Sequence, residues 1–457
     1  MKRILDAEPA VAKLCGPQKA REEAPYRMTR HCVSVPCEAG TLLYQTLTGQ
    51  LVLIEGEADF AASRGALIRD RFLVPEDFDE NEYADSIRWL HRTLWKGKGA
   101  KTRFMILTTT DCNAHCYYCF EHGKRRYTMT EKTARDVAEY IFRASKGKPV
   151  KLDWFGGEPL YNSERIDIIC AMLREKGAVY RSTMISNGYY LRGDVLKRAT
   201  ELWNLESVQI TLDGMKETYN RVKAYSDEDP DPYETVLRNI AESADAGVQV
   251  AIRLNVGAGN AEELLSLCDE LAERFGGKER IIAYSSLLGD FNGHVGGFED
   301  AEQEARQYLA IKRRLRELGL SEERIPKNRT QTNCCKADND GCEIILPDGG
   351  IAKCNINYEE SRIGSIYSDE LDENQVKSWK EETRRPECSD CPMYPRCYSL
   401  KKCPWVGVSC LDGVQKIRVE SLRDEMLTAY RKMGGSLRFK EKENQPVECE
   451  EQKGEEV

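Results

Sequence analysis

Residues 111–120 read DCNAHCYYCF, and Cys112, Cys116 and Cys119 stand there in the spacing C-x3-C-x2-C. The stretch follows an apolar, strand-like run, Phe104 to Leu107, which places the cysteines on a loop at a strand end. Three thiolates this close can cap three corners of a cubane iron–sulfur cluster, because such clusters are held by cysteine sulfur. The fourth iron then has no protein ligand and can be chelated by a small molecule that receives an electron from it. A three-cysteine zinc site, or plain structural cysteines, would show the same spacing, so the rest of the chain has to decide.

Working outward, the rhythm from Lys101 is strand, loop, helix, repeated. Strands are predicted at 103–109, 150–155, 179–185, 207–213, 248–256 and 281–288, with helical patterns between them. One helix is predicted to begin at Thr128 with a capping box to Glu131, and it carries Ala134, Val137, Ala138 and Ile141 on one face. Six strands alternating with helices imply a parallel α/β sheet. Two further repeats would close an eight-fold barrel; stopping at six implies an open, partial (β/α)6 barrel. Ligands of such sheets sit at the carboxyl ends of the strands, where the cysteine loop lies. Three more loops fall at strand ends. Asp153 to Pro159 reads DWFGGEP: Gly156 and Gly157 permit close backbone approach, and Glu158 offers an acceptor to an ammonium group. Ser186-Asn187-Gly188 offers groups suited to ribose hydroxyls, and Leu212-Asp213-Gly214 ends the fourth strand. Taken singly, Asn-Gly and Asp-Gly are ordinary turns.

With these residues in view the sequence resembles the radical S-adenosylmethionine (SAM) enzymes over residues 101 to about 290. Cys112, Cys116, Tyr118 and Cys119 match their C-x3-C-x-aromatic-C signature, and Gly156-Gly157-Glu158-Pro159 their SAM-amino-group motif. The resemblance implies a [4Fe-4S] cluster on the three cysteines and SAM chelated to its open iron. Tyr118 would lie beside the adenine, Ser186 and Asn187 near the ribose, and Asp213 among the cofactor contacts. It also implies reductive cleavage of SAM to a 5′-deoxyadenosyl radical that abstracts hydrogen, with the protein orienting the substrate.

The chain has 457 residues and eighteen cysteines, nine of them between Cys334 and Cys410. In a reducing compartment clustered cysteines imply metal rather than disulfides. Eight thiols exceed one tetrahedral site and suffice for two cubanes. The arrangement resembles the SPASM extension of radical SAM enzymes that modify peptides and proteins. By that resemblance Cys335, Cys342, Cys354 and Cys403 hold one auxiliary cluster, and Cys388, Cys391, Cys397 and Cys410 a second, three [4Fe-4S] clusters in all. Two departures stand out. Five residues separate Cys397 from Cys403 where three are usual, and Cys334 adjoins Cys335.

Before the barrel, Met28 to Val35 is strand-like, and Gly40 to Ile54 is predicted as a hairpin turning at Thr48-Gly49. Helical stretches follow at 58–70 and 81–94. The layout resembles the winged-helix-like recognition element of peptide maturases, whose strand edge captures a leader peptide. The expected domains are therefore 1–97 for peptide recognition, 98–326 for the radical SAM partial barrel and 327–425 for SPASM. Residues 426–457 are expected to hold a helix end and a solvated tail.

A formal charge of −9, from 67 basic and 76 acidic residues, gives no footprint for nucleic acid. No apolar run approaches the roughly 20 residues of a membrane span, and Asp6 and Glu8 interrupt the N-terminus before a signal-peptide core, so a soluble cytoplasmic protein is expected. The function implied is oxidative modification of a ribosomally made precursor peptide bearing a leader. The leading form is a thioether from a cysteine sulfur to a carbon, as in sactisynthases and ranthipeptide synthases, with a flavodoxin- or ferredoxin-type protein as electron donor. The alternatives are formylglycine formation, as in anaerobic sulfatase-maturing enzymes, and other peptide crosslinking or epimerisation. Gln209 to Arg221 resembles both groups. Tyr219-Asn220 stands where sulfatase maturases often carry His-Asp, which weighs against formylglycine.

Overall fold

The computed structural model describes residues 1–21, 24–94, 99–257, 259–288, 301–322, 324–326, 336–380, 384, 386–396 and 414–433. Cys334, Cys335, Cys397, Cys403 and Cys410 lie outside them, as does the segment from 434 onward.

The N-terminal unit runs β1 (Lys2–Leu5), α1 (Pro9–Cys15), β2 (Tyr26–Met28), β3 (Cys32–Cys37), β4 (Gly40–Gln45), β5 (Gln50–Ile54), α2 (Glu57–Arg69), β6 (Leu73–Pro75) and α3 (Glu80–Leu94). The expected hairpin is β4–β5, and Gly49 takes a φ of 75° at its turn. The strand expected at 28–35 is two strands instead. A turn in which Cys32 N–H donates to the Thr29 carbonyl separates them; β2 pairs with β6 and β3 with β4. The larger sheet has the order β1-β5-β4-β3. Both hairpin strands are thus paired on both sides, and the hairpin itself has no edge to offer a peptide.

The barrel follows as β7 (Arg103–Leu107), α4 (Glu131–Ser145), β8 (Val150–Phe155), α5 (Ser163–Glu175), β9 (Tyr180–Ser186), α6 (Gly193–Glu201), β10 (Leu205–Leu212), α7 (Lys216–Lys223), α8 (Pro232–Asp245), β11 (Gln249–Val256), α9 (Ala261–Phe275), β12 (Ile281–Leu287) and α10 (Ala301–Glu317). β7 to β12 are parallel neighbours in chain order, the α/β partial barrel that the alternation implies. The helix expected to cap at Thr128 starts one short turn later: Thr130 accepts the Thr133 N–H at 3.1 Å. Thr128 is held in an extended bridge to Thr109, their hydroxyls 2.8 Å apart, and that pairing delays the helix. Ala134, Val137, Ala138 and Ile141 are buried as its period requires.

The sheet does not stop at β7. β13 (Cys342–Ile345) pairs parallel to it, and β14 (Gly350–Ala352) and β15 (Arg362–Ser365) follow antiparallel. This nine-stranded sheet covers what would otherwise be an open edge of the first barrel strand. After α11 (Glu373–Lys380), α12 (Val414–Met433) runs unbroken through 425/426 and lies against α10 and β3. Its Leu422, Met426 and Ala429 share an apolar core with Leu42, Tyr44 and Leu51 of the N-terminal sheet.

Midway along β8 a buried carboxylate ties this strand to β7 and β9. Asp153 accepts from Arg103 Nε at 2.7 Å and Thr183 Oγ1 at 2.8 Å, with Lys336 Nζ 3.8 Å away. Burial alone would raise its pKa, but Lys336 and Arg103 outweigh it and hold the carboxyl at about 2. A carboxylate below its ordinary value stabilises the fold above about pH 4 and loses that contribution as pH falls towards 2. Asp153→Asn is therefore expected to cost about 2 kcal/mol or more at pH 7. Denaturant titrations should show the gap from wild type closing below pH 4; a gap that persists at pH 2 would contradict the assignment.

Candidate active site

The cysteine loop is pinned from both sides. Asn113, 1% exposed, donates to Asp227 Oδ2 and accepts from Asn187 Nδ2, each at 2.8 Å. His115 N–H donates to the Lys223 carbonyl at 2.7 Å, and Ser226 N–H to the Asn113 carbonyl at 2.8 Å. The end of α7 and the residues after it thus hold the loop as firmly as its own strand does. Cys119 N–H closes a turn on the Cys116 carbonyl. Burial pushes the Cys112 thiol up to about 12 and Cys119 to about 11, and raises Cys116 as well. Left alone these would be inert thiols; only a bound cation repays the cost of ionising them. Among the described residues no three His, Cys, Asp or Glu side chains converge as ligands of a single ion would. A cubane does not ask for that, since each thiolate binds its own iron.

Gly156 and Gly157 pass directly beneath this loop. Gly157 N–H donates to the Thr109 carbonyl at 3.0 Å and Glu158 N–H to the Asp111 carbonyl at 2.9 Å. A Cβ on Gly156 would stand 2.1 Å from Thr109 O, and one on Gly157 2.3 Å from Asp111 O. Two glycines are what the sequence requires here to bring two backbones together.

The polar residues expected to meet SAM are occupied with one another. Glu158 Oε1 accepts from Leu160 N–H (3.0 Å) and Ser186 Oγ (2.8 Å), and Oε2 from Asn187 N–H (2.7 Å). Both carboxylate oxygens are engaged, so Glu158 ties the β8 turn to the end of β9. Burial raises it to about 7 against those bonds. Asn187 Nδ2 also reaches Cys112 Sγ at 3.9 Å, while its Oδ1 accepts from Tyr189 N–H. Asp213, 5% exposed, accepts from Tyr118 Oη (2.8 and 2.9 Å), Asn255 Nδ2 (2.8 Å) and Lys223 Nζ (2.8 Å). In this arrangement it anchors Tyr118, Asn255 and Lys223 together. Reading the sequence missed Lys223, Asn255 and Asn113. Nine residues lie between Asp213 and Lys223, and it is the folding of α7 that brings the two side chains together.

Along β10, β11 and β12 the alternation divides the two faces. Val208, Ile210, Leu212, Val250, Ile252, Leu254, Ile281 and Ala283 enter the core under the helices. The other face carries Gln209, Thr211, Asp213, Arg253, Asn255, Tyr284 and Ser286. Tyr284 Oη donates to Gln209 Oε1 at 2.6 Å, and Arg253 Nε to Asn255 Oδ1 at 2.9 Å. Over β10 to β12 this face is therefore mostly polar, with Ala251 and Ile282 among the polar residues, while on β7 to β9 it carries Met105, Leu107, Phe155 and Ile185.

The described cysteines of the C-terminal region fall into two places. Cys342 opens β13, whose register pairs Ile344 with Ala352 of β14, and Cys354 follows β14, its N–H donating to Ser361 Oγ at 2.9 Å. Burial raises the Cys342 thiol to about 11, opposed by Arg103, Lys336 and Lys353. Cys388 and Cys391 form a separate turn, Cys391 N–H to the Cys388 carbonyl at 3.3 Å, packed into the core shared with the N-terminal sheet. Thr46 Oγ1 donates to the Pro392 carbonyl at 2.7 Å and Arg396 to Tyr44 Oη at 3.1 Å, bolting this turn to the N-terminal unit.

The site's parts fit the group that the cysteine spacing implies: three soft donors on a rigid loop, a side-chain-free turn below it and an anchored aromatic ring beside it. Comparison with known proteins agrees. Residues 106–271 match the Radical SAM superfamily. A probable GTP 3′,8-cyclase of Thermococcus kodakarensis is 28% identical over 159 residues, 35% of this chain. The match spans 48% of that relative, about half its length. Among solved structures, Streptococcus suis SuiB bound to precursor peptide SuiA aligns with a TM-score of 0.51 at 12% identity, covering 82% of this chain and 94% of that one. The enzyme anSMEcpe with bound AdoMet aligns at 0.50 and 16% identity, covering 72% and 98%. No described helix is long and apolar enough to cross a membrane. The barrel of this chain is a radical SAM domain.

Proposed function

We propose that this protein is a radical SAM maturase that captures a ribosomally made precursor peptide and closes a thioether from a cysteine sulfur to a carbon. The observation that carries this reading is the placement of the C-terminal cysteines: one pair extends the barrel sheet, and the other is bonded to the N-terminal unit. A peptide held by that unit would pass the cysteine-bearing region on its way to the barrel mouth. SuiB and anSMEcpe, whose folds this chain shares, were solved with a precursor peptide and with the Cp18Cys peptide respectively. Cys335, Cys342, Cys354 and Cys403 would hold the first auxiliary cluster, and Cys388, Cys391, Cys397 and Cys410 the second. When bound, the radical cluster and SAM supply the one-electron chemistry that breaks a C–H bond of the peptide. The chain's own part is to orient that bond. Glu158, Ser186 and Asn187 keep the turns in place, Asp213 fixes Tyr118, and the polar face of β10 to β12 bonds the peptide backbone. The test is to incubate the anaerobically reconstituted enzyme with SAM, a low-potential flavodoxin or dithionite, and a cysteine-rich peptide encoded beside it, SAM being cleaved to methionine and 5′-deoxyadenosine as the peptide is oxidised. A product lighter by two hydrogens with one cysteine closed to alkylation supports the thioether. An aldehyde-reactive product would move the assignment to formylglycine formation.

Capture by strand addition needs an unpaired edge. The hairpin has none. The outer side of β3 meets α12, with Arg423 Nε donating to the Ser34 carbonyl at 3.0 Å. β1 remains, paired within its sheet to β5 alone, and it is the edge to which we assign the leader. Removing residues 1–5 is expected to weaken peptide binding at least tenfold, about 1.4 kcal/mol, while uncoupled SAM cleavage continues. Fluorescence anisotropy of a labelled leader measures it, with thermal unfolding showing that the sheet persists. Equal affinity would place capture elsewhere.

A further inference from the structure

Lys223 is a buried ammonium beside a cluster ligand. It ends α7 with 4% of its side chain exposed, and Asp213 is equally covered. Nζ lies 2.8 Å from Asp213 Oδ2 and 3.2 Å from Tyr118 Oη. The Tyr118 and Tyr219 rings flank it with centroids at 5.8 and 5.7 Å. Its own carbonyl receives the His115 N–H, from the residue preceding Cys116. Asp213 already has the Tyr118 hydroxyl and the Asn255 amide as donors. Burying an ion pair here is therefore no bargain for stability, since a desolvated pair seldom outperforms neutral packing. Nor is the pair symmetric about the cysteines: its ammonium acts on the Cys116 thiol more strongly than its carboxylate does.

We propose that Lys223 is a positioning residue that sets the reduction potential of the cluster held by Cys112, Cys116 and Cys119, with Asp213 holding the ammonium in place and tempering its charge. The proposal rests on those cysteines carrying a cubane. Reduction adds one electron from an external low-potential donor and makes or breaks no bond, so a fixed neighbouring charge acts directly on its free energy. Cluster potentials follow net charge, hydrogen bonding to sulfur and solvent exposure, and a buried charge is poorly screened. A cation beside Cys116 favours the reduced state and makes the cluster easier to reduce.

The test is a redox titration of the full-length, reconstituted protein, followed by electron paramagnetic resonance through the signal that SAM perturbs. Lys223→Met should move the midpoint to more negative potential, and Lys223→Arg should restore it. Asp213→Asn, which leaves the ammonium uncompensated, should move it the other way. Opposite signs separate a charge effect from a loosened site, which would shift both variants alike. An unchanged midpoint in Lys223→Met at full iron content, or shifts of the same sign in both variants, overturns the proposal. Should Lys223→Met not retain iron, Asp213→Asn decides alone: a positive shift supports the role, and none, or a negative one, refutes it. A wild-type protein with no SAM-responsive signal would instead refute the cluster on which the proposal rests.

Discussion

Replacing Cys112, Cys116 and Cys119 together by Ala is expected to abolish 5′-deoxyadenosine formation while leaving most of the bound iron. The wild-type protein, anaerobically reconstituted, should hold about 12 irons and the variant about 8, since each cubane contributes four. The reasoning is geometric. The three thiols sit on one loop between β7 and the end of α7. The described C-terminal cysteines lie on β13, just after β14, or in the core shared with the N-terminal sheet. Among the described residues no cysteine belongs to both groups, so loss of one set should not empty the others. The fold should survive as well, because the loop keeps its Asn113 and His115 anchors. Iron analysis, chromatography of the SAM products and circular dichroism read the three consequences. Retained 5′-deoxyadenosine would show that another site cleaves SAM. Loss of all iron would show that the cysteine sets are coupled.

Gly157→Ala should be nearly as damaging, though it removes no ligand. The new Cβ would meet Asp111 O at 2.3 Å, Asp111 C at 2.6 Å and Thr110 O at 2.7 Å, all main-chain atoms. Side chains can rotate away from such a contact; these atoms cannot, because Asp111 precedes Cys112 and its carbonyl is bonded to Glu158 N–H. Overpacking of this kind costs about 1–3 kcal/mol, and the relief available is to push the cysteine loop off the turn. SAM affinity is expected to fall at least 100-fold, about 2.7 kcal/mol, as measured by equilibrium dialysis on reconstituted protein. Gly65→Ala provides the contrast. Gly65 lies within α2 with nothing within 4 Å of a built Cβ. There Ala should add about 0.5–1 kcal/mol through helix propensity and leave SAM binding alone. Wild-type affinity in Gly157→Ala would mean that the two backbones are not pressed together as described.

Local chemistry was enough for much of this molecule. The strand–loop–helix rhythm placed all six barrel strands to within a few residues. An apolar run for a strand buried on both faces such as β7, alternation for those buried on one, and a helix's single apolar stripe are all carried by neighbouring residues. C-x3-C-x2-C and the Gly-Gly turn were legible for the same reason: ligand spacing and the absence of a Cβ are properties of neighbouring residues. What the chain order could not disclose were partnerships between distant residues. The strand expected at 28–35 broke in two because its halves pair with different strands, β6 and β4. Thr128 lost its capping role to a bridge with Thr109. β13 is four residues long and carries Glu343 beside its apolar positions; only the open side of β7 makes it the seventh parallel strand. Glu158 and Asp213 were legible as polar residues at strand ends. The tertiary structure decided that their oxygens accept from Leu160, Ser186 and Asn187 and from Tyr118, Asn255 and Lys223. A buried carboxylate must be bonded wherever the fold leaves donors, and which donors arrive depends on how strands and helices from separate parts of the sequence come together.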